Sequence, residues 1–458
     1  MKVNPQIFRM YDIRGIVGTD ITPEFAEMLG RTYGVYLRER GGRRVSVGRD
    51  VRPSSEELQD ALIEGLKRVG IDVFDIGVVP TPLLYFSLYR LPVDGGIEVT
   101  ASHNPKEYNG FKINLGKETL YGEEIQKLKE IMEKETFPTV FERGKFKKKD
   151  ILDEYVNYMF CDIKIEGEIK VAVDAGNGCA GPVIEELFPA LGIKMEGLYI
   201  EPDGTFPNHL PDPTVQKYME ELIKMIKKGD FDLGVGFDGD VDRIGAVDET
   251  GDMIYGDKLT GIFASDVLSK FPGAPIVFDV KCSEGLVEYI EKLGGKPLMW
   301  KTGHSLLKAK LREVNAPFAG EMSGHVFFND RYFGYDDAIY ASLRLFEIIT
   351  KSGKKLSELV AEIPFYYSTP EIRVGCSDTR KFDVVKNLVD YFKKSYKVID
   401  IDGARIQFGD GFGLVRASNT QPVLVLRFEA KTRERLEEIK RIVYDSLRMY
   451  PEVELKEE

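Results

Sequence analysis

The stretch GFDGDVDR, residues 236–243, sets Asp238, Asp240 and Asp242 at alternate positions and follows them at once with Arg243. Three carboxylates packed this densely repel one another, and a cation relieves the repulsion. A donor set of oxygen alone, without histidine or cysteine, suits Mg²⁺ rather than zinc. The twelve-residue calcium loop with its closing glutamate does not match these letters. A hairpin turn rich in Asp and Gly would explain them without any ion, but the position directly after the apolar run FDLGVG favours the metal. An arginine beside such a site suits an anion shared by both, and a phosphoryl group above all.

Three other stretches could act on such a group. TASHNP, residues 100–105, puts Ser102 and His103 after the apolar run GGIEVT. Ser102 there is a nucleophile or phosphate carrier, or else a helix cap, and spacing alone favours the cap. No G-x-S-x-G elbow surrounds it, so acyl transfer is disfavoured. Lys112 follows in KEYNGFKI, as a charge neutraliser or proton carrier. VRASNTQP, residues 415–422, offers Arg416, Ser418, Asn419 and Thr420, a phosphate nest or a polar hairpin turn. GEMSGH, residues 320–325, alternates Glu321, Ser323 and His325 as a short flexible loop suited to a polyhydroxyl ligand such as a sugar. Three of the four histidines, His103, His304 and His325, lie in Gly- or Ser-rich loops, which weakens the usual reading of a core histidine.

The elements that must carry these loops form a degenerate repeat. RRVSVGRD, EIKVAVDAG and APIVFDVK each read as a β-branched strand ending in an aspartate. Each is followed by small or polar residues, a helical stretch, a glycine and a second strand. The interval is 20, 18 and 15 residues for Asp50 to Gly70, Asp174 to Gly192 and Asp279 to Gly294. This is the signature of a βαβ unit. It predicts three related α/β domains. The last ninety or so residues differ, with two adjacent antiparallel strands in ARIQFGDGFGLVRAS and PVLVLRFEAKT and the charged helix RERLEEIKRIVYDSL. They read as a small α+β domain. Expected boundaries are 1–148, 149–250, 251–366 and 367–458, with linkers at 142–150, 248–257 and 363–371. The run KFKKK reads as a solvated helix start rather than a binding patch.

Composition bounds the function. A chain of 458 residues is too long for one core and fits about three or four domains. With 43% hydrophobic and 30% charged residues it reads as globular, and a net charge of −12 disfavours nucleic-acid or membrane-surface partners. The four cysteines are far apart, without a CxxC pair, which fits a reducing compartment. No apolar run approaches a membrane span and the first residues lack a signal-peptide core. The expected location is cytoplasmic.

YDIRG, TASHNP, DGDVDR, GEMSGH and RASNTQP, in this order and across nearly the whole chain, resemble the α-D-phosphohexomutases. GEMSGH is similar to the sugar loop of the phosphomannomutase/phosphoglucomutase branch; phosphoglucosamine mutases more often have another residue in place of Met322. The resemblance implies three related α/β domains with mixed sheets and a small C-terminal α+β domain around a central cleft. It implies a phosphoryl group on Ser102 and one Mg²⁺ held by Asp238, Asp240, Asp242 and an oxygen of that phosphoserine. Hexose 1-phosphate and hexose 6-phosphate would be interconverted through a hexose 1,6-bisphosphate, which also acts as activator. Glu321 and Ser323, with His304 and His325, would grip sugar hydroxyls. Arg416, Ser418, Asn419 and Thr420 would hold the non-reacting phosphate. Tyr11, Arg14, Lys112, Arg243 and Lys281 would complete a positive site, with Lys112 or His325 as proton carrier. The substrate would be a mannose or glucose phosphate. A phosphoglucosamine mutase, a Mg²⁺-dependent sugar-phosphate phosphatase and a non-catalytic sugar-phosphate binder are the competing readings.

Overall fold

A computed structural model of the chain describes residues 4–137, 142–418 and 421–455. They form two compact units, residues 1–259 with 323–359, and residues 260–322 with 360–458.

The first unit holds two mixed sheets. In one, the strand Arg44–Arg49 runs parallel to both Asp72–Val78 and Gly95–Val99, and Tyr108–Leu115 then lies antiparallel between Gly95–Val99 and Ile13–Ile16. In the other, Lys170–Asp174 is parallel to Lys194–Leu198 and Leu233–Phe237, and Ile244–Asp248 returns antiparallel to Leu233–Phe237. Gly95–Val99 and Leu233–Phe237 are buried throughout, as strands covered on both faces must be. In the second unit Pro275–Asp279 lies parallel between Lys296–Trp300 and Phe318–Gly320. Its remaining strands form an antiparallel sheet in which Gly411–Ala417 pairs with Val423–Ala430, and the helix Arg433–Leu447 follows.

Each copy of the repeat read from the sequence is therefore a parallel strand pair. The linking helices are Ser55–Arg68, Gly181–Ala190 and Glu284–Lys292. The repeat also fixes where chemistry occurs. In the first two copies the strand beyond the pair, Gly95–Val99 or Leu233–Phe237, meets an antiparallel successor. TASHNP and DGDVDR are these two connections. In the third copy GEMSGH follows Phe318–Gly320 in the same place along the chain. Ligand sites in such sheets lie beyond the carboxyl ends of the parallel strands.

Three expectations about connections change. KFKKK contains a short exposed strand, Phe146–Lys148, parallel to Asp72–Val78; helix begins only at Leu152. A charged segment that cannot bury a helical face pairs its backbone with an open sheet edge instead. Residues 248–257 are a hairpin, since Met253–Ile254 pairs back onto Ile244–Asp248. Ser102 caps no helix; it lies in a turn with φ 51°. Among the described residues no helix is long and apolar enough to cross a membrane.

The two loops of the first unit meet backbone to backbone. A Cβ on Gly239 would lie 2.6 Å from the carbonyl oxygen of Ser102. Gly239→Ala is expected to cost about 1–3 kcal/mol through overpacking, measured as a lower urea midpoint at unchanged m-value.

Candidate active site

The acidic loop is the connection of a hairpin, as its letters allow, and its carboxylates also converge. Asp238, Asp240 and Asp242 are fully buried, with one ligand atom from each within 4.8 Å of the others. The backbone leaves this loop little freedom. The carbonyl of Gly239 accepts from Cys179 N at 3.0 Å, that of Asp240 from Thr81 N at 2.9 Å, and that of Val241 from Ala338 N at 3.1 Å. Two of those donors open helices, Thr81–Arg90 and Ala338–Ser352. Val241 sits at φ 67°, a strained conformation for a β-branched residue that the surrounding bonds sustain.

Each carboxylate has a distinct environment. Asp238 Oδ1 accepts from the backbone N–H groups of Asp242 and Arg243, and its Oδ2 accepts from Ser102 Oγ at 2.7 Å. Asp240 Oδ2 accepts from Thr81 Oγ1 at 2.6 Å and from Lys112 Nζ. Lys112 also bonds Asp242 Oδ2. Asp240 Oδ1 is buried without a hydrogen-bond partner among the described residues. Burial, with Asp242 and Asp240 beside it, pushes the Asp238 carboxyl well above its usual range. An orphaned oxygen and mutually repelling carboxylates fit a hard cation with oxygen ligands.

The serine loop is held by an arginine that sequence reading passed over. Arg52 is buried and pairs through Nε with Asp50 at 3.0 Å. Its other nitrogens donate to the carbonyls of Ser102 at 2.8 Å, Asn104 at 2.6 Å, Pro105 at 2.7 Å and Tyr108 at 3.0 Å. Asp50 is the strand-end aspartate of the first repeat, so the signal was the repeat itself together with an arginine two residues on. Arg14 reaches Asn104 Oδ1 at 2.9 Å and also pairs with Asp12. His103 Nδ1 is 3.1 Å from Ser102 Oγ. Burial, Arg243 and Arg14 hold its imidazole well below the ordinary range. Tyr11 lies half-buried in the bend before Ile13–Ile16.

Arg243 and His325 belong to one chain of contacts. Arg243 Nε donates to His325 Nε2 at 3.0 Å, and His325 Nδ1 is 2.9 Å from Asp336 Oδ2. A proton on Nδ1 would face Asp336 and leave Nε2 the lone pair that accepts from Arg243. Arg243 Nε is 3.8 Å from Asp238 Oδ2. Ser323 is two residues before His325 and half-buried. Asp336 gave no sequence signal beyond a polar letter in FGYDDA.

The second unit gathers the other candidates. Asp279 Oδ1 accepts from Met322 N at 3.0 Å, its Oδ2 accepts from Thr302 Oγ1 at 3.0 Å, and Glu321 Oε1 accepts from Gly303 N at 3.0 Å. These bonds fasten Glu321 and the segment before His304, which opens the helix His304–Glu313, to the end of Pro275–Asp279. Glu321 is buried and anchored through Oε1. Lys281 Nζ bonds Glu371 at 2.8 Å, and Arg427, also missed from sequence, donates to the Lys281 carbonyl. Arg416 pairs with Asp402 at 3.1 Å. Ser418 Oγ accepts from Gln421 N at 3.1 Å, and Lys381 straps the loop through the carbonyls of Ser418 and Gln421. Asn419 and Thr420 lie outside the described residues.

Comparison with known proteins now decides the family. Residues 5–139, 152–251 and 255–367 match phosphoglucomutase/phosphomannomutase alpha/beta/alpha domains I, II and III, and residues 371–446 match the C-terminal domain. The chain belongs to the phosphoglucomutase/phosphomannomutase family. It is 46% identical to a phosphomannomutase/phosphoglucomutase of Pseudomonas aeruginosa, over 96% of this chain and 95% of that protein. A phosphoglucomutase of Neisseria meningitidis is 44% identical, over 94% of this chain and 95% of that one. The crystal structure of a phosphoglucomutase/phosphomannomutase family protein from Burkholderia thailandensis matches with a TM-score of 0.92 and 43% identity, covering 98% of both chains. The family's four-domain architecture agrees with the fold expected from the repeat.

Two outcomes check the geometry. Asp336→Asn leaves His325 without its carboxylate, so kcat is expected to fall about 100-fold or more with little change in KM, read in steady-state kinetics. The Lys281 ammonium lowers the Glu371 carboxyl from 4.5 to about 2. A depressed carboxylate stabilises above its unfolded pKa, and that stability is lost as pH falls through the folded value. The stability deficit of Glu371→Gln is therefore expected to be full above about pH 4.5 and to shrink toward pH 2 in acid-denaturation curves.

Proposed function

We propose that the chain is a phosphohexomutase, an isomerase that interconverts hexose 1-phosphate and hexose 6-phosphate of mannose, glucose or both. The observation that carries this reading is the 2.7 Å bond from Ser102 Oγ to Asp238 Oδ2, which sets a serine hydroxyl against three converging carboxylates. The family membership and the names of its relatives support the same activity. The matched ranges support division into four domains near residues 148, 250 and 366.

In this reading Ser102 carries the phosphoryl group. Asp238, Asp240 and Asp242 hold one Mg²⁺ together with an oxygen of the phosphoserine. Bound there, Mg²⁺ supplies charge neutralisation for the phosphoryl oxygens. Arg52 fixes the backbone of Ser102, which limits the positions its Oγ can take. The free sugar hydroxyl attacks phosphorus, its P–O bond forms as the bond to Ser102 Oγ breaks, its proton goes to His325 Nε2, and Ser102 Oγ leaves with the bonding electron pair and takes up a proton from solvent. Nε2 suits this when a proton on Nδ1 faces Asp336, once Arg243 Nε, which donates to Nε2 at 3.0 Å, turns to the substrate. Lys112 spends its donors on Asp240 and Asp242, so it serves as a cation. Tyr11, Arg14 and Arg243 in the first unit, and Lys281 in the second, receive phosphate or sugar oxygens. Glu321, Ser323 and His304 bind sugar hydroxyls, and Arg416, Ser418, Asn419 and Thr420 hold the phosphate that does not react. The bisphosphate then turns over and its other phosphate returns to Ser102, so added hexose 1,6-bisphosphate is expected to activate. No disulfide joins any of the four cysteines, which supports a cytoplasmic location.

Coupled assays with mannose, glucose and glucosamine 1-phosphates, each with Mg²⁺ and a trace of the matching bisphosphate, test the assignment. Isomerisation of mannose and glucose phosphates, abolished by Ser102→Ala, is the expected result. Dominant glucosamine turnover would move the chain to the amino-sugar mutases. Free phosphate without isomerisation would make it a phosphatase.

A further inference from the structure

One buried acid has no part in this scheme. Glu98 lies in Gly95–Val99 at 0% exposure, and neither of its carboxylate oxygens has a hydrogen-bond partner among the described residues. Buried polar groups almost always find one. Its surroundings are defined on two sides. Across the antiparallel ladder Glu98 stands directly opposite Lys112, so the two side chains share a face of the sheet with Cβ atoms about 5 Å apart. On the parallel side it pairs with Gly48, where a Cβ would come within 2.4 Å of Glu98 Oε2. The carboxyl thus lies across bare glycine backbone, in a slot that a side chain at position 48 would fill. Burial, with Asp50 and Asp240 nearby, holds it well above the usual carboxylate range, and Lys112 is one of the groups pulling it back.

Lys112 is the other half of the argument. Its ammonium bonds Oδ2 of both Asp240 and Asp242. A divalent cation held by those carboxylates, even on their other oxygens, would stand within a few ångströms of that ammonium, at about 4–5 Å. Two cations on them, inside the protein, would repel strongly. The lysine stem has four flexible carbons, so its head group can leave while its backbone stays in the sheet. The acceptor directly across the ladder is Glu98.

We propose that Lys112 is a resident counter-cation that competes with the metal, and that Glu98 is the positioning carboxylate that receives its ammonium when the metal enters. The inference rests on the metal assignment of the proposed function. It makes metal entry an exchange of one cation for another, with Glu98 reducing the cost of the displaced lysine. Removing the receiver alone should then weaken metal binding, and removing the lysine should make the receiver irrelevant.

The test is Mg²⁺ titration of the full chain without sugar, by calorimetry and by protection against thermal unfolding. Glu98→Leu is expected to weaken Mg²⁺ binding about tenfold. Glu98→Gln keeps an acceptor oxygen and should weaken it less. Lys112→Met should tighten binding, and in that background Glu98→Leu should have no further effect. Should Glu98→Leu fail to fold, Glu98→Gln in both backgrounds carries the same comparison. Unchanged affinity in the Glu98 variants, or an equal loss with Lys112 and with Met at that position, overturns the exchange but leaves the metal site standing. Absence of Mg²⁺ binding by the unaltered chain overturns the metal assignment and this proposal together.

Discussion

Three carboxylates buried within 4.8 Å of one another are the costliest feature of this protein, and much of the first unit compensates for them. An isolated buried carboxylate would take up a proton instead of remaining charged. Here Lys112 and Arg243 supply positive charge, while Thr81 Oγ1, Ser102 Oγ and backbone N–H groups donate to the oxygens. The repulsion would be relieved if the loop could unwind. It cannot readily do so, because three successive carbonyls, from Gly239 to Val241, are each held by a backbone donor from a different segment. The hairpin Leu233–Phe237 with Ile244–Asp248 closes the base. The sheet thus stores an electrostatic demand at one place, of a kind a hard cation would answer.

The positions of the chemical loops follow from the same economy of design. A parallel strand ends, the chain turns, and an antiparallel partner returns: TASHNP and DGDVDR occupy this step in successive copies of one repeat. The strand-end aspartates share a task as well. Asp50 anchors Arg52 and Ser55, Asp174 accepts from Gly176 N and His209, and Asp279 accepts from Met322 N and Thr302. In each copy a buried carboxylate at the strand terminus ties down neighbouring loop segments.

Much of this was legible in the letters. The strand–helix–strand repeat, the acidic loop, the placement of Lys112 on a strand and the antiparallel C-terminal pair all follow from local pattern, because period and turn residues are local quantities. What local pattern could not supply were partners set by tertiary structure. Arg52 acts on carbonyls fifty residues and more downstream, which no side-chain motif encodes. Asp336 matters only because the fold sets it 2.9 Å from His325. KFKKK misled because its lysines describe a solvated segment equally well in either secondary structure; the open edge beside Asp72–Val78 decided for a strand. The helix-cap reading of Ser102 failed for the opposite reason. An Asn-Pro stop is a fair turn signal, but Arg52 gathers the carbonyls on both sides of it into a single compact loop.

That gathering has a consequence for how the chain can change over generations. Arg52 addresses the serine loop through the carbonyls of Ser102, Asn104, Pro105 and Tyr108, groups that nearly every amino acid provides alike. The side chains of Lys106 and Glu107, exposed between two of those carbonyls, take no part in the grip. Heredity can therefore rewrite the outer lettering of the loop while the serine stays where it is. The arginine and its aspartate have no such latitude, since a lysine in place of Arg52 could not span four acceptors with one ammonium. Variation is permitted at the rim of the loop and denied at a residue fifty positions away that works on the loop's backbone alone.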